Sequence, residues 1–358
     1  MIPLYKPYMP EHLPELDNIL HSGALAYGKW GRKLEEKLGE YIGNPNIAVV
    51  NSFNSSMLVT LTTLGIKAGD EIIASPMSCL ASNQPFASIG AKVVWADIDP
   101  TTGTLNPDSV KSKISKNTKA IFHNHHCGYP GYIDEINAIG KQHGIYVVDD
   151  AIEAFGSEYK GKRIGKTGTD ATVFSFQTVR LPNTIDGGAF AFKDNTLYEK
   201  AKRIRDLGIN RQKFRDELGE ISPLCDITEP GYSATLSDIN SYIGCLQLDS
   251  INKLIKTQRI NAENWKSKIE SEYPDYKTLT SLYQNPNYWV FGILVPNKTE
   301  TILHYRSLGF CASGVHLPNY NYSIFGKRDE LPGVDDFYLK FVALPCGWWI
   351  NNQYNLFI

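Results

Sequence analysis

The chain has 358 residues, of which 42% are hydrophobic and 21% charged, with a formal net charge of -2. Such a length buries a substantial core, usually as one large domain and a smaller one, and the composition excludes disordered, collagen-like and coiled-coil architectures. A near-neutral chain also lacks the basic field that tracks phosphate backbones, so no nucleic-acid partner is expected.

Between residues 45 and 195, short β-branched apolar runs alternate with longer helical segments, the pattern of a mostly parallel sheet covered by helices. The runs Ile47–Val50, Glu71–Ser75, Lys92–Asp97, Ala120–His126, Tyr146–Asp150, Ala171–Phe176 and Gly188–Asp194 predict a seven-stranded sheet. Several are apolar without alternation, as expected for strands buried on both faces. Between them, Ile133, Ile136 and Ile139 recur at helical spacing up to Gly144. From about residue 236 the pattern becomes a long helix, Leu236–Leu254 and beyond, followed after Trp265 by short mixed elements. The sequence therefore predicts a large α/β domain over residues 1–245 and a smaller C-terminal one over 246–358. The six cysteines are scattered without the spacing of a zinc knuckle or a redox pair, so free thiols and no metal are expected. Residues 1–6 lack the pattern of a signal peptide and no stretch is long enough to cross a bilayer, which predicts a cytoplasmic protein without a membrane partner.

Ligands of open α/β sheets gather outside the carboxyl ends of the strands, which singles out His125, Asp150 and Ser175. Asp150 ends the run Tyr146–Asp150 and reads either as a cap of the next segment or as a carboxylate for a protonated ring nitrogen. Ser175, between Phe174 and Phe176, reads as a half-buried strand residue or as a phosphate ligand. The segment Asn51–Ser56 precedes a helix expected over Met57–Leu64. Amides and hydroxyls there form an anion site, with ordinary capping by Asn54 or Ser55 as the other reading.

In this order and spacing, the segments resemble the DegT/StrS family of pyridoxal-phosphate-dependent nucleotide-sugar aminotransferases, which have the type I aminotransferase fold. The resemblance covers nearly the whole chain. It runs from Gly28-Lys29-Trp30 through Leu64–Glu71, Gly90–Asp99, His125–Pro130, Asp149–Gly156, Phe174–Gly188 and Leu236–Leu248 to Val315–Pro318. It implies pyridoxal or pyridoxamine 5'-phosphate as cofactor, with Asp150 on the pyridine nitrogen and Ser175, Asn54 and Ser55 at the phosphate. Glu153 falls beside the phenolic oxygen, Cys79 at the ring-stacking position and His125 near the ring, with Tyr27 and His316 toward the substrate. It further implies a homodimer acting on a nucleotide-linked keto sugar, in cell-surface polysaccharide or antibiotic sugar biosynthesis.

The family's Schiff-base lysine falls at Arg180, and no lysine occurs from Thr167 to Phe192. A Schiff base requires a neutral amine, whereas a guanidinium stays protonated, with a pKa of roughly 12 or higher. What arginine does well is grip phosphate or carboxylate, here a cofactor phosphate, a sugar nucleotide or a neighbouring acid such as Asp186. Phe53-Asn54 also stands where relatives carry a small Gly-Thr step, and Ser233-Ala234-Thr235 where they carry asparagine and a basic residue. Several unconnected departures favour natural divergence over an engineered change. Three functions follow: an enzyme of altered chemistry with a non-covalent cofactor, a catalytically silent relative that binds a nucleotide sugar or a partner subunit, or a site without pyridoxal in which Arg180 and Ser175 hold another phosphorylated ligand.

Overall fold

A computed structural model describes residues 1–280, 284–326 and 330–350. The strands are β1 (Ile47–Val50), β2 (Glu71–Ala74), β3 (Lys92–Trp95), β4 (Thr118–Asn124) and β5 (Tyr146–Ala151), a hairpin of β6 (Glu158–Tyr159) and β7 (Lys162–Arg163), then β8 (Ala171–Ser175) and β9 (Gly188–Phe192). The central sheet has the order β1-β9-β8-β5-β4-β2-β3. It is parallel from β3 to β8, and β9 runs antiparallel between β8 and β1. The expected seven-stranded, mostly parallel sheet is thus the observed one. Successive side chains feed opposite layers: Ile72 and Val148 join one buried cluster, Ile73 and Val147 another. Burial on both faces explains why these runs lack alternation.

Helices α1 (Leu16–Leu20), α2 (Lys29–Ile42), α3 (Phe53–Thr63), α4 (Leu80–Ser88), α5 (Pro107–Ser112), α6 (Ile133–His143) and α7 (Asn195–Arg205) precede a 35-residue helix, α8 (Asp238–Glu272). Beyond it lie β10 (Lys277–Thr278), β11 (Gln284–Asn285), β12 (Phe291–Leu294), α9 (Lys298–Ser307), α10 (Pro332–Lys340) and β13 (Phe341–Leu344). Strands β10, β12 and β13 form a small antiparallel sheet. Helix α8 serves both regions. Cys245 and Ile251 pack with Leu34 and Leu38 of α2, while Trp265 and Ile269 pack with Phe291 and Ile293 of the small sheet. A division at residue 245 therefore falls inside a continuous helix rather than in a linker.

Two expected boundaries shift. Strand β4 ends at Asn124, not His126, because the chain turns into a short 3-10 segment at His126–Gly128, with Cys127 at φ 55 and Gly128 at φ 91. Helix α3 begins at Phe53 and is capped by Ser52, whose Oγ accepts from Ser55 N at 3.1 Å. Asn54 and Ser55 therefore lie in the first turn instead of capping it. Gly188 makes this approach possible, since a Cβ there would stand 2.9 Å from Ser52 O and 3.1 Å from Phe53 Cα.

A tertiary contact also caps α2. Gly28 N and Gly31 N donate to Asp238 Oδ1 at 2.7 and 3.0 Å, and Trp30 N donates to Oδ2 at 3.3 Å. A buried carboxylate at the start of α8 thus satisfies the orphan amides and the positive end of another helix. Replacing Asp238 with alanine is expected to cost about 2 kcal/mol of stability, read from the shift in a urea unfolding midpoint.

Candidate active site

The site is built at the carboxyl ends of β1, β4, β5 and β8. Ser175 of β8 pairs in register with Gly188, which pairs with Val50 of β1. That register sets Ser175 beside the N-terminus of α3, with Asn54 exposed and Ser55 half-buried in its first turn. Ser55 Oγ donates to Asn51 Oδ1 at 2.6 Å, and Asn51 Nδ2 reaches Ser233 O at 3.3 Å. Hydroxyls and amides therefore collect where an anion would be favoured.

Asp150 is buried, accepts from Ile152 N at 3.2 Å and lies 3.4 Å from Asn124 Nδ2. Burial pushes its carboxyl up, against weaker help from Ser82, Ile152 and Asn124. A buried carboxylate so thinly supported gains from a cationic partner, as a protonated ring nitrogen would be.

Glu153, just past β5, is the electrostatic centre. Its Oε2 accepts from Cys127 N at 2.7 Å, and its Oε1 accepts from His316 Nε2 at 2.9 Å and lies 3.5 Å from Arg180 Nη1. Asn287 Nδ2 donates to the carbonyls of Glu153 and Phe155 at 2.8 and 3.0 Å and fixes the turn. Burial opposes ionisation, but the charge and hydrogen bond of His316, together with Arg180, more than offset it and hold the carboxyl down at about 2.

Arg180 points inward and is 7% exposed. Its Cζ lies 4.4 Å from the ring centroid of Trp289, whose Nε1 donates to Val179 O at 3.0 Å, and Tyr5 stacks on Trp289 with centroids 4.4 Å apart. Its acidic partner is Glu153, whereas Asp186 is exposed and turned to its own chain, accepting from Gly187 N at 2.8 Å. The Nε of Arg180 is buried without a hydrogen-bond partner. Among the described residues no lysine is hydrogen-bonded or ion-paired to Asp150 or Glu153. Cys79 joins the cluster: burial, then the charge of Glu153, pushes its thiol up.

His125 is not brought to Glu153. In the β4–β5 register Asn124 opposes Asp150 and His123 opposes Asp149, so strand alternation turns His125 toward Asp149 as well, with its Nε2 3.4 Å from Oδ1. Oδ2 of Asp149 accepts from Thr169 at 2.8 Å and Thr167 at 3.2 Å. Burial opposes the charge of Asp149, but His125 and His123 more than offset it and keep the carboxyl below the ordinary range. Although these three side chains could in principle ring a metal ion, Gly131 N donates to His125 Nδ1 at 3.2 Å. The ring proton is thereby left on Nε2, which faces Asp149 at 3.4 Å and is not presented as a lone pair for a metal.

The residue that does approach the site is His126. Its ring centroid lies 5.8 Å from that of His316, and burial, then His316, lowers it to about 4. Sequence spacing missed His126, Cys127, Tyr5 and Trp289. The first two are redirected by the left-handed turn at Cys127, and the other two are distant in sequence. Tyr27 lies apart, its OH donating to Glu35 Oε2 at 2.6 Å under the guanidinium of Arg205, beside a cleft of about 800 Å³.

Residues 8–351 match the model of the DegT/DnrJ/EryC1/StrS aminotransferase family. The chain belongs to this family. It is similar to the sugar aminotransferase CalS13 from Micromonospora echinospora, at 27% identity and a TM-score of 0.92 over 99% of this chain and 97% of that one. PseC of Helicobacter pylori, an aminotransferase in pseudaminic acid biosynthesis, is 26% identical with a TM-score of 0.87, over 98% and 95% of the chains. An uncharacterized protein of Methanocaldococcus jannaschii is 29% identical over 96% of this chain and 92% of its own length. Pyridoxal or pyridoxamine phosphate is consistent with this membership, and the residues present fit such a group held without a covalent bond. A buried acid, Asp150, would suit the ring nitrogen and the hydroxyls and amides at the start of α3 would suit the phosphate, but no amine stands at position 180. Among the described residues no helix is long and apolar enough to cross a membrane.

Because the carboxyl of Glu153 is held at about 2, below its ordinary 4.5, its stabilising contribution is complete above about pH 4.5 and disappears as pH falls toward 2. Glu153→Gln should therefore destabilise strongly at pH 7 and progressively less below pH 4.5, as read from the difference in urea midpoints. A difference independent of pH would contradict the ionised assignment.

Proposed function

We propose that this family member binds pyridoxamine phosphate non-covalently and acts on a keto sugar carried by a nucleotide, with chemistry altered by Arg180. The observation that carries the reading is that Arg180 is fixed inside the cluster by Trp289 and Glu153, not swung into solvent. When bound, the cofactor supplies an electron sink and, in its amine form, the nitrogen to be transferred. Asp150 orients the ring through its nitrogen, and Ser175 with the first turn of α3 holds the phosphate. Glu153 remains an ionised acceptor, and His316 carries a proton at Nε2 directly against it. Arg180 grips an anionic oxygen through its unfilled Nε, a role a guanidinium performs and an attacking amine does not. Membership of a sugar aminotransferase family supports the substrate class, in cell-surface or antibiotic sugar biosynthesis.

A homodimer working in the cytoplasm belongs to the same proposal. Leu218 at 87% and Leu224 at 91% exposure, on the segment between α7 and α8, support a covering partner. One observation favours the silent alternative: both oxygens of Glu153 are already engaged by Cys127, His316 and Arg180, so the cluster is satisfied without a ligand.

Pyridoxamine phosphate should stay with the wild-type chain through gel filtration, and borohydride treatment with pyridoxal phosphate should leave its mass unchanged. Arg180→Lys should gain one cofactor mass under the same treatment. If the wild type retains no cofactor and Arg180→Lys gains no adduct, the silent reading takes its place.

A further inference from the structure

Two groupings of three metal-ligating side chains occur among the described residues. The one at Asp149 is closed by the hydrogen bond from Gly131. The other joins Cys127, Glu153 and His316, whose thiol, carboxylate and imidazole atoms all lie within 4.8 Å of one another. The spacing of the cysteines does not announce it, because its members come from the turn after β4, the end of β5 and the segment before α10. Ligands of a tetrahedral zinc ion stand roughly 3.5 Å apart, so the widest of these separations has to close by about 1 Å.

The backbone aims these side chains at one another. Cys127 sits in the left-handed region at φ 55, and its N–H holds Glu153 Oε2 at 2.7 Å, which leaves Oε1 against His316 Nε2 at 2.9 Å. Val315, next to His316, also has a left-handed φ of 59. For a β-branched residue that is a strained conformation, of the kind kept where the surroundings demand it at ligand sites. A second imidazole lies alongside: the ring of His126 is 5.8 Å from that of His316, and both its nitrogens are buried without a hydrogen-bond partner. Thiolate and imidazole together select zinc over magnesium or calcium. The geometry points to a zinc site in which Cys127 Sγ, Glu153 Oε1 and His316 Nε2 hold one divalent ion, with its fourth position left to water beside His126.

On binding, the Cys127 thiol releases its proton to solvent, and the ion replaces the proton that His316 holds against Glu153. Ion, thiolate and carboxylate then sum to zero charge, so Arg180 faces no net positive group. Entry is from the side of His316, whose side chain is 12% exposed against 1% for Glu153. The site goes beyond the cofactor reading and does not depend on it.

Cobalt(II) is the probe, titrated into the reduced full-length chain after removal of any cofactor. One equivalent should produce a sulfur-to-cobalt charge-transfer band and the visible absorption of a four-coordinate ion, and zinc should abolish both. Cys127→Ser should remove the charge-transfer band, whereas Cys225→Ser and Cys311→Ser leave it, and His316→Ala should weaken binding at least tenfold. X-ray absorption at the zinc edge reads the wild-type site without substitution, as one sulfur at about 2.3 Å with nitrogen or oxygen ligands at about 2.0 Å. The site is overturned if no band appears, if Cys127→Ser keeps it, if His316→Ala binds as tightly, or if the zinc edge shows no sulfur or more than one. A chain that takes cobalt in this way but retains no pyridoxamine phosphate removes the cofactor reading alone. The reverse pair of results removes the zinc site alone.

Discussion

A carboxylate buried without partners would be too costly to keep ionised, so the charge of Glu153 dictates what surrounds it. Its partners come from three distant stretches: the turn after β4 supplies Cys127 N, the segment after β8 supplies Arg180, and the chain before α10 supplies His316. Losing any one leaves charge uncompensated in the interior, so the geometry of the cluster is mutually enforced. Trp289 adds an aromatic ring against the guanidinium, and Tyr5 stacks on the same tryptophan. The arginine is therefore a structural member of the pocket and not a loosely tolerated replacement.

The pleat of β5 separates two neighbouring acids into unrelated tasks. Asp149 faces two buried histidines, accepts from two threonine hydroxyls and stays charged inside the fold. Asp150, one residue on, faces the opposite side and meets few donors. The first acid anchors the strand ends, and the second is free to answer a ligand. The same alternation assigns His125 to the anchoring side, so the histidines nearest the site are His126, redirected by the turn at Cys127, and His316.

Family membership and the missing amine constrain function from opposite directions. The fold sets a buried acid at the end of β5, and a hydroxyl and a helix N-terminus where β1 and β8 end, the features the proposed reading assigns to a phosphorylated pyridine. What it lacks is the covalent tether. A guanidinium in that position cannot supply the attacking amine, and here it is held between Glu153 and the ring of Trp289.

The seven strands, the long helix and the positions of Asp150, Ser175 and Arg180 were legible in the sequence because each is a local signal. Apolar runs, helical spacing and short ordered motifs survive in a one-dimensional reading, and the extent of β1, β5 and β8 differs from expectation by a residue at most. Arginine's inability to form a Schiff base is likewise a property of the residue itself. Which acid Arg180 meets, which way His125 turns, and that Tyr5, Trp289 and His316 converge were decided only by the tertiary structure. Those outcomes depend on strand register, on one left-handed turn and on contacts between residues as far apart as 5 and 289. Such contacts arise when separate segments share the burial of one charge, and no local pattern records that.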